Sequence, residues 1–255
     1  MILFWERIEL FTLFFSRTAS FVILLPIAGN RLVPAIVKTG FAAFISIILV
    51  SLYQNQSFPL PHDTFGFFFR VSVEVFIGLA LGFITLFLFT GIQIAGEVMG
   101  MQMGLAMAKM VDPSFQAQLS IVAQFQVFIA MLFYLAMNGH HFLIEAFVYS
   151  YQALPLFADI HATGLVEQVI NMVSFAYVVA VKVGAPVIVS LLLANIALGI
   201  LARTVPQMNI FMVGLPLRLL LGIGALALTI RMFHQVFSLL WVQFQQDFLQ
   251  IIHAF

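Results

Sequence analysis

The chain has 255 residues and a mass of 28.4 kDa, with 63% hydrophobic residues, 8% charged residues and a mean hydropathy of +1.13; a soluble domain carries about 25% charged residues, so that class is excluded. Ten Lys and Arg balance ten Asp and Glu, which excludes an electrostatic nucleic-acid binder with its clustered basic excess, and the absence of cysteine excludes disulfides, thiolate chemistry and cysteine–zinc sites. What remains is an all-α integral membrane protein.

In chain order, Met1 to Leu10 carries Glu6, Arg7 and Glu9 and lacks the basic, apolar and small-residue layout of a cleaved signal peptide, which predicts that it is retained. Apolar runs then predict helical segments at Leu10–Ala28, Leu32–Tyr53, Phe65–Ala95, Met99–Met110, Leu119–Met137, Phe142–Phe157, Val169–Leu201 and Met208–Met232. Pro26, Pro34, Pro113, Pro155, Pro186, Pro206 and Pro216 each remove a backbone donor and predict stops or bends. The breaks fall at 26–30, 54–64, 112–114, 138–141, 159–168 and 203–209. The stretch 159–168 is the most polar of the second half and divides the chain into parts 1–160 and 161–255. After it, Val183–Ala202 is free of charge, Arg203–Asn209 is a Pro-containing polar turn, and Ile210–Ile230 contains only Arg218. Two antiparallel helices joined by a short turn are the simplest solution. The expected architecture is therefore a set of irregular, Pro-broken helical hairpins.

Several charges interrupt apolar runs: Arg17, Lys38, Arg70, Glu74, Glu97 and Lys182. Such groups are costly at bilayer depth and face a bundle interior, a partner or water. Arg70 and Glu74 stand at i,i+4 and share a helix face, so they can pair with each other.

The segment from Gly96 to Pro113 is the most unusual. On a helix, Met99, Met103, Met107 and Met110 fall within an arc of roughly 80°, with Gly96, Gly100 and Gly104 along the neighbouring side. The glycine spacing lets another helix approach closely, as does Gly78-Leu-Ala-Leu-Gly82. A methionine stripe is compatible with ordinary core packing, or with a plug of flexible thioethers that closes a pore yet yields to a passing chain. Asp112-Pro113 breaks the helix beside it, and non-helical backbone at membrane depth is tolerated only inside protein or along a cavity. Pro206 to Pro216 pairs a polar turn with two prolines and a glycine at a hairpin tip. The scattered histidines form no metal pattern, and neither a paired-acid site nor a phosphate loop is present. No cofactor, metal or catalytic activity is expected, so any driving energy must come from elsewhere.

Arg17 with Pro26-Ile-Ala-Gly and Pro34-Ala-Ile-Val-Lys38, Gly96-Glu with Gln102-Met-Gly104 and Val111-Asp-Pro113, Asn138-Gly-His140, and Pro206-Gln-Met-Asn-Ile-Phe with Val-Gly-Leu-Pro216 together resemble, in order and spacing from end to end, the FliR family of the flagellar type III export gate. Its injectisome counterparts are the SctT proteins, and Asn209 to Pro216 favours the flagellar branch. The resemblance implies a FliP-like helical part, 1–160, followed by a FliQ-like hairpin, 161–255, in a helical assembly around an export channel. It also implies FliP-like and FliQ-like subunits, FlhB and FlhA as partners, unfolded export substrates as cargo, and the bacterial inner membrane at the flagellar basal body as location. The family's plug loop maps onto Lys109–Gln118. Met99, Met103, Met107, Lys109, Met110, Asp112, Pro113 and Phe115 are accordingly expected at the gate, and Arg17, Lys38, Pro206, Gln207, Asn209 and Phe211 at contacts with other subunits. A small-solute secondary transporter, which would assemble one midplane site from two broken helices, and a purely structural assembly nucleus are the rival readings.

Overall fold

The computed structural model describes residues 2–29, 32–53, 63–105, 120–156, 162–205, 207 and 209–255. Among these, seven helices follow one another: α1 (Ile2–Leu24), α2 (Ala35–Leu52), α3 (Thr64–Gln102), α4 (Ile121–Ala136), α5 (Gly139–Ala153), α6 (Ala162–Thr204) and α7 (Ile210–Ala254). By length and composition, 35–52, 64–102, 166–204 and 212–253 can each cross a membrane, and α4 with α5 forms one further broken candidate. The fold is all-α, as its composition predicts.

Four elements differ from expectation. The first helix, α1, begins at Ile2, eight residues before the expected Leu10. Phe65–Ala95 and the start of Met99–Met110 are one helix, α3, of 39 residues. It ends at Gln102 because Gly104 adopts φ +85°, with Leu105 N–H donating to the Gly100 carbonyl at 3.1 Å and Gly104 N–H to that of Met101 at 3.1 Å. That pairing is a Schellman stop, which satisfies two of the orphan carbonyls and needs a residue free to enter the left-handed region. The four-methionine arc therefore does not lie on α3, and Gly104 terminates the helix instead of extending the glycine stripe. The residues expected at 159–168 to be a connector are helical from Ala162 onward. Finally, α7 continues 22 residues past Met232 to Ala254, through a Gln-rich stretch too polar to register as an apolar run.

Pro186 and Pro216 stand inside α6 and α7 without ending either. Helices of 43 and 45 residues run roughly 65 Å, about twice the ~30 Å hydrocarbon core. About half of each must therefore meet water or protein. The most apolar stretch of α3 is 56% buried, against 22% for α6 and 17% for α7, so α3 is the central element and the last two helices offer open apolar faces.

Two compact units share these helices. The first comprises Met1–Phe87, His141–Met172 and Asp247–Phe255; the second comprises Leu88–His140 and Val173–Gln246. Both are discontinuous in sequence.

Candidate functional site

In the first unit, a buried ion pair sits at the centre. Arg17 is 0% and Glu74 2% exposed, and Arg17 Nε donates to Glu74 Oε2 at 2.5 Å. Arg17 Nη1 also donates to the carbonyl oxygens of Leu154 at 3.1 Å and Ser150 at 3.5 Å. These carbonyls lie at the C-terminal end of α5, which favours a cation; that of Ser150 also accepts the Leu154 backbone N–H at 2.8 Å. Tyr151 lies under the guanidinium, 4.2 Å from carbon to ring centroid, an arrangement that adds cation–π attraction. The pair thus joins α1, α3 and α5. Glu74 takes its hydrogen-bonded partner from α1, and Arg70 one turn away adds a Coulombic attraction. One expectation is corrected here: Arg17 is 0% exposed and has no surface to offer another subunit.

Aromatic packing seals the site. Phe21 stacks on Phe147 at 4.5 Å and Phe14 lies 5.0 Å from Tyr151. Gly78 and Gly82 leave room for α1: a Cβ at Gly78 would collide with the Arg17 carbonyl and the Ser20 hydroxyl, and one at Gly82 would fall 2.7 Å from Leu24 Cβ. Close approach of α3 to α1 is what lets Glu74 reach Arg17. Lys38, half-buried, donates through Nζ to the Gly29 carbonyl at 2.9 Å, which spends at least one of its protons inside the chain.

In the second unit, the end of α3 grips the start of α4. Glu97 Oε1 accepts the Ser120 backbone N–H at 2.8 Å, while Ser120 caps α4 by accepting Val122 N–H at 3.3 Å. The first turn of α4 has no acidic residue of its own, and the Glu97 carboxylate supplies the anion that a helix N-terminus favours. Gly96 and Gly100 make room for this clasp. A Cβ at Gly96 would fall 2.8 Å from the Ala123 backbone nitrogen, and one at Gly100 would strike the Ser120 side chain. Gly100 thus lies close to Ser120, on the two sides of 106–119.

Met99 and Met103 are 0% and 1% exposed, packed inside the chain. Gln126 Nε2 lies 3.9 Å from Met99 Sδ, and a Cβ at Gly222 would meet Met103 Cγ at 2.6 Å. Met107, Lys109, Met110, Asp112, Pro113 and Phe115 lie outside the described residues, as does Pro206. Gln207 and Asn209 are exposed, consistent with a hairpin tip, and Phe211 is in the first turn of α7. Among the described residues no group of three His, Asp or Glu is placed to hold a metal ion.

The Glu97 clasp was not legible in the sequence because its partners are 23 residues apart; the one signal was a Ser N-cap followed by no acid. Removing it has a defined effect. Glu97→Ala should destabilise the protein by about 1.5–3 kcal/mol, the range for a hydrogen bond to a charged group, and Glu97→Gln, which keeps an acceptor, by less. Thermal unfolding of the purified protein in its assembly checks the order.

The family model for bacterial export proteins, family 1, matches residues 8–244. The flagellar biosynthetic protein FliR of Bacillus subtilis (strain 168) is 36% identical over 215 residues, covering 82% of this chain and 81% of that protein. Its namesakes in Caulobacter vibrioides and Escherichia coli (strain K12) are each 32% identical, over 86% and 88% of this chain and 87% and 88% of their own lengths. Matched almost from end to end by the family model and by these relatives, the chain belongs to the FliR family of bacterial export proteins.

Proposed function

We propose that the chain is a core subunit of the flagellar type III export gate in the bacterial inner membrane, where it helps to form and close the channel through which unfolded flagellar subunits cross. Its family membership carries the export role. The observation that supports a closing element is the clasp: Glu97 with Ser120, and Gly96 and Gly100 with Ser120 and Ala123, fix the described residues on both sides of 106–119 to one another. Met99 and Met103 belong to the anchor, and Met107, Met110 and Phe115, with Lys109, Asp112 and Pro113, to the plug itself. Thioether side chains repack at low cost against chains of varied shape, as a gate for unfolded cargo requires.

The partners in this reading are FliP-like and FliQ-like subunits, FlhB and FlhA. The long α6 and α7, joined across 205–209, form the FliQ-like hairpin, and the preceding helices the FliP-like part. Met107→Ala with Met110→Ala should raise the ion conductance of membranes containing the assembled gate several-fold while its subunit composition stays constant. Unchanged conductance in a correctly assembled complex would remove these residues from the closure.

A further inference from the structure

The buried stripe of α4 carries an amide. Val122, Ala123, Gln126, Ala130 and Tyr134 are its buried positions, spaced three and four residues apart as a core-facing stripe is. Gln126 is 4% exposed, and the alanines one turn to either side of it are too small to fill the space beside it. On α7, Thr229 is likewise buried, as is Phe233 one turn on. Gln126 and Thr229 line one gap between the two helices, among Ile129, Leu226 and Phe233, with room for about one water molecule.

Neither polar group brings a spare proton to that gap. The Thr229 hydroxyl donates its hydrogen to the Ala225 carbonyl one turn back, at 2.8 Å, which leaves its oxygen lone pairs to accept. Gln126 turns Nε2 toward Met99 Sδ at 3.9 Å, and its Oε1 is buried without a hydrogen-bond partner. Turning the amide over would set that oxygen against the lone pairs of the sulfur, so Met99 decides which way the amide points. Two acceptors therefore share one small space.

That chemistry selects the occupant. A buried acceptor left unmet costs the full desolvation of the group, and native interiors tolerate few of them. Whatever meets both oxygens must carry two donor hydrogens and be no larger than water. A cation does not fit, because no Asp or Glu is among the described lining residues and two neutral oxygens do not compensate a buried charge. A wholly apolar gap of this size would stay dry, whereas one that offers two acceptors holds water.

We infer that an ordered water molecule is a structural component of the joint between α4 and α7, donating one hydrogen to Gln126 Oε1 and the other to Thr229 Oγ1. The inference goes beyond the export reading and does not depend on it, because every group involved lies in the second unit. Its consequence is positional. Glu97 fixes the start of α4 to α3, and the water fixes the second turn of the same helix to α7.

The test uses the chain purified in its assembly. A cryo-EM map fine enough to show ordered solvent should place a density within hydrogen-bond distance of both oxygens. That density should vanish in Gln126→Met, which keeps the length of the side chain without its oxygen. Gln126→Met should also lower the midpoint of thermal unfolding by about 2–4 °C, as the loss of a bridged hydrogen bond predicts. Combined with Thr229→Val, it should cost less than the sum of the two single changes, since both remove the same water. A rise in the midpoint with Gln126→Met would overturn the proposal, because relief of an unmet acceptor in a dry gap produces that sign. So would additive costs in the double variant, an empty gap in the map, or a side chain of a neighbouring subunit seated in it. Should neither variant accumulate, the map of the unsubstituted assembly still decides between water and these alternatives.

Discussion

Arg17→Leu is expected to abolish accumulation of the chain in the membrane. Glu74, 2% exposed, would keep its carboxylate in an apolar interior with its cation gone, and the Ser150 and Leu154 carbonyls would lose the guanidinium that reaches them. Breaking a buried pair from one side costs about 3–5 kcal/mol, a large part of the ~5–15 kcal/mol by which folded proteins are stable. Replacing both members removes the stranded charge as well as the bond. Arg17→Leu combined with Glu74→Leu should therefore recover much of the protein lost in Arg17→Leu alone, although the Leu154 carbonyl no longer receives the guanidinium. Tyr151→Phe keeps the ring under the guanidinium and should change little. Quantitative immunoblotting of membranes, followed by thermal unfolding of whatever accumulates, measures the coupling. A double variant no better than the single one would show that Glu74 does not depend on Arg17.

The second large effect separates packing within the chain from packing between chains. Gly96→Leu places a side chain against the backbone of Ala123, which cannot rotate away, so α3 and α4 must part. Overpacking of this kind costs about 1–3 kcal/mol and more where backbone is struck, and here the Glu97 bond to Ser120 would stretch with it. Gly224 is the contrasting position: a Cβ there meets nothing within 4 Å, and the same holds for Gly199 and Gly40. Gly224→Leu has no steric cost to the chain and improves helix propensity by up to about 1 kcal/mol. The expected result is loss of the chain itself for Gly96→Leu, and for Gly224→Leu a chain that accumulates normally while the yield of assembled gate falls. Size analysis of the complex beside total chain level distinguishes the two. Normal assembly with Gly224→Leu would mean that this face of α7 is not covered by a neighbour.

What could be read from the residues followed how local its cause was. The all-helical class, the extents of α2 and α4, and the break at Asn138, where φ is 55°, follow from apolar runs and turn chemistry within a few residues. The Gly96 and Gly100 stripe was legible for the same reason: a four-residue spacing states which face will approach a neighbour. Gly104 carries the same spacing but serves as a helix stop, because the Schellman hydrogen bonds to Gly100 and Met101 depend on where the chain must turn. The i,i+4 spacing offers Arg70 to Glu74, whereas the hydrogen-bonded partner of Glu74 stands 57 residues away in α1 and no local pattern encodes it. The methionine arc was drawn on an unbroken helix, whereas α3 ends at Gln102: Met99 lies on its buried face, Met103 is buried just past its end, and Met107 and Met110 lie outside the described residues. The last 22 residues of α7 were missed because a helix packed against protein on one side and polar on the other has no continuous apolar run.

Closure of an export channel by residues between α3 and α4 is the centre of this account. A photo-reactive amino acid at position 107, in a gate stalled with an export substrate that cannot clear the channel, tests it most directly. The account predicts a cross-link from position 107 to the stalled substrate, absent when no substrate is engaged. A position that cross-links only to neighbouring subunits, with and without the stalled substrate and in cells that remain motile, would contradict it and leave the chain as a scaffold around a channel lined by others.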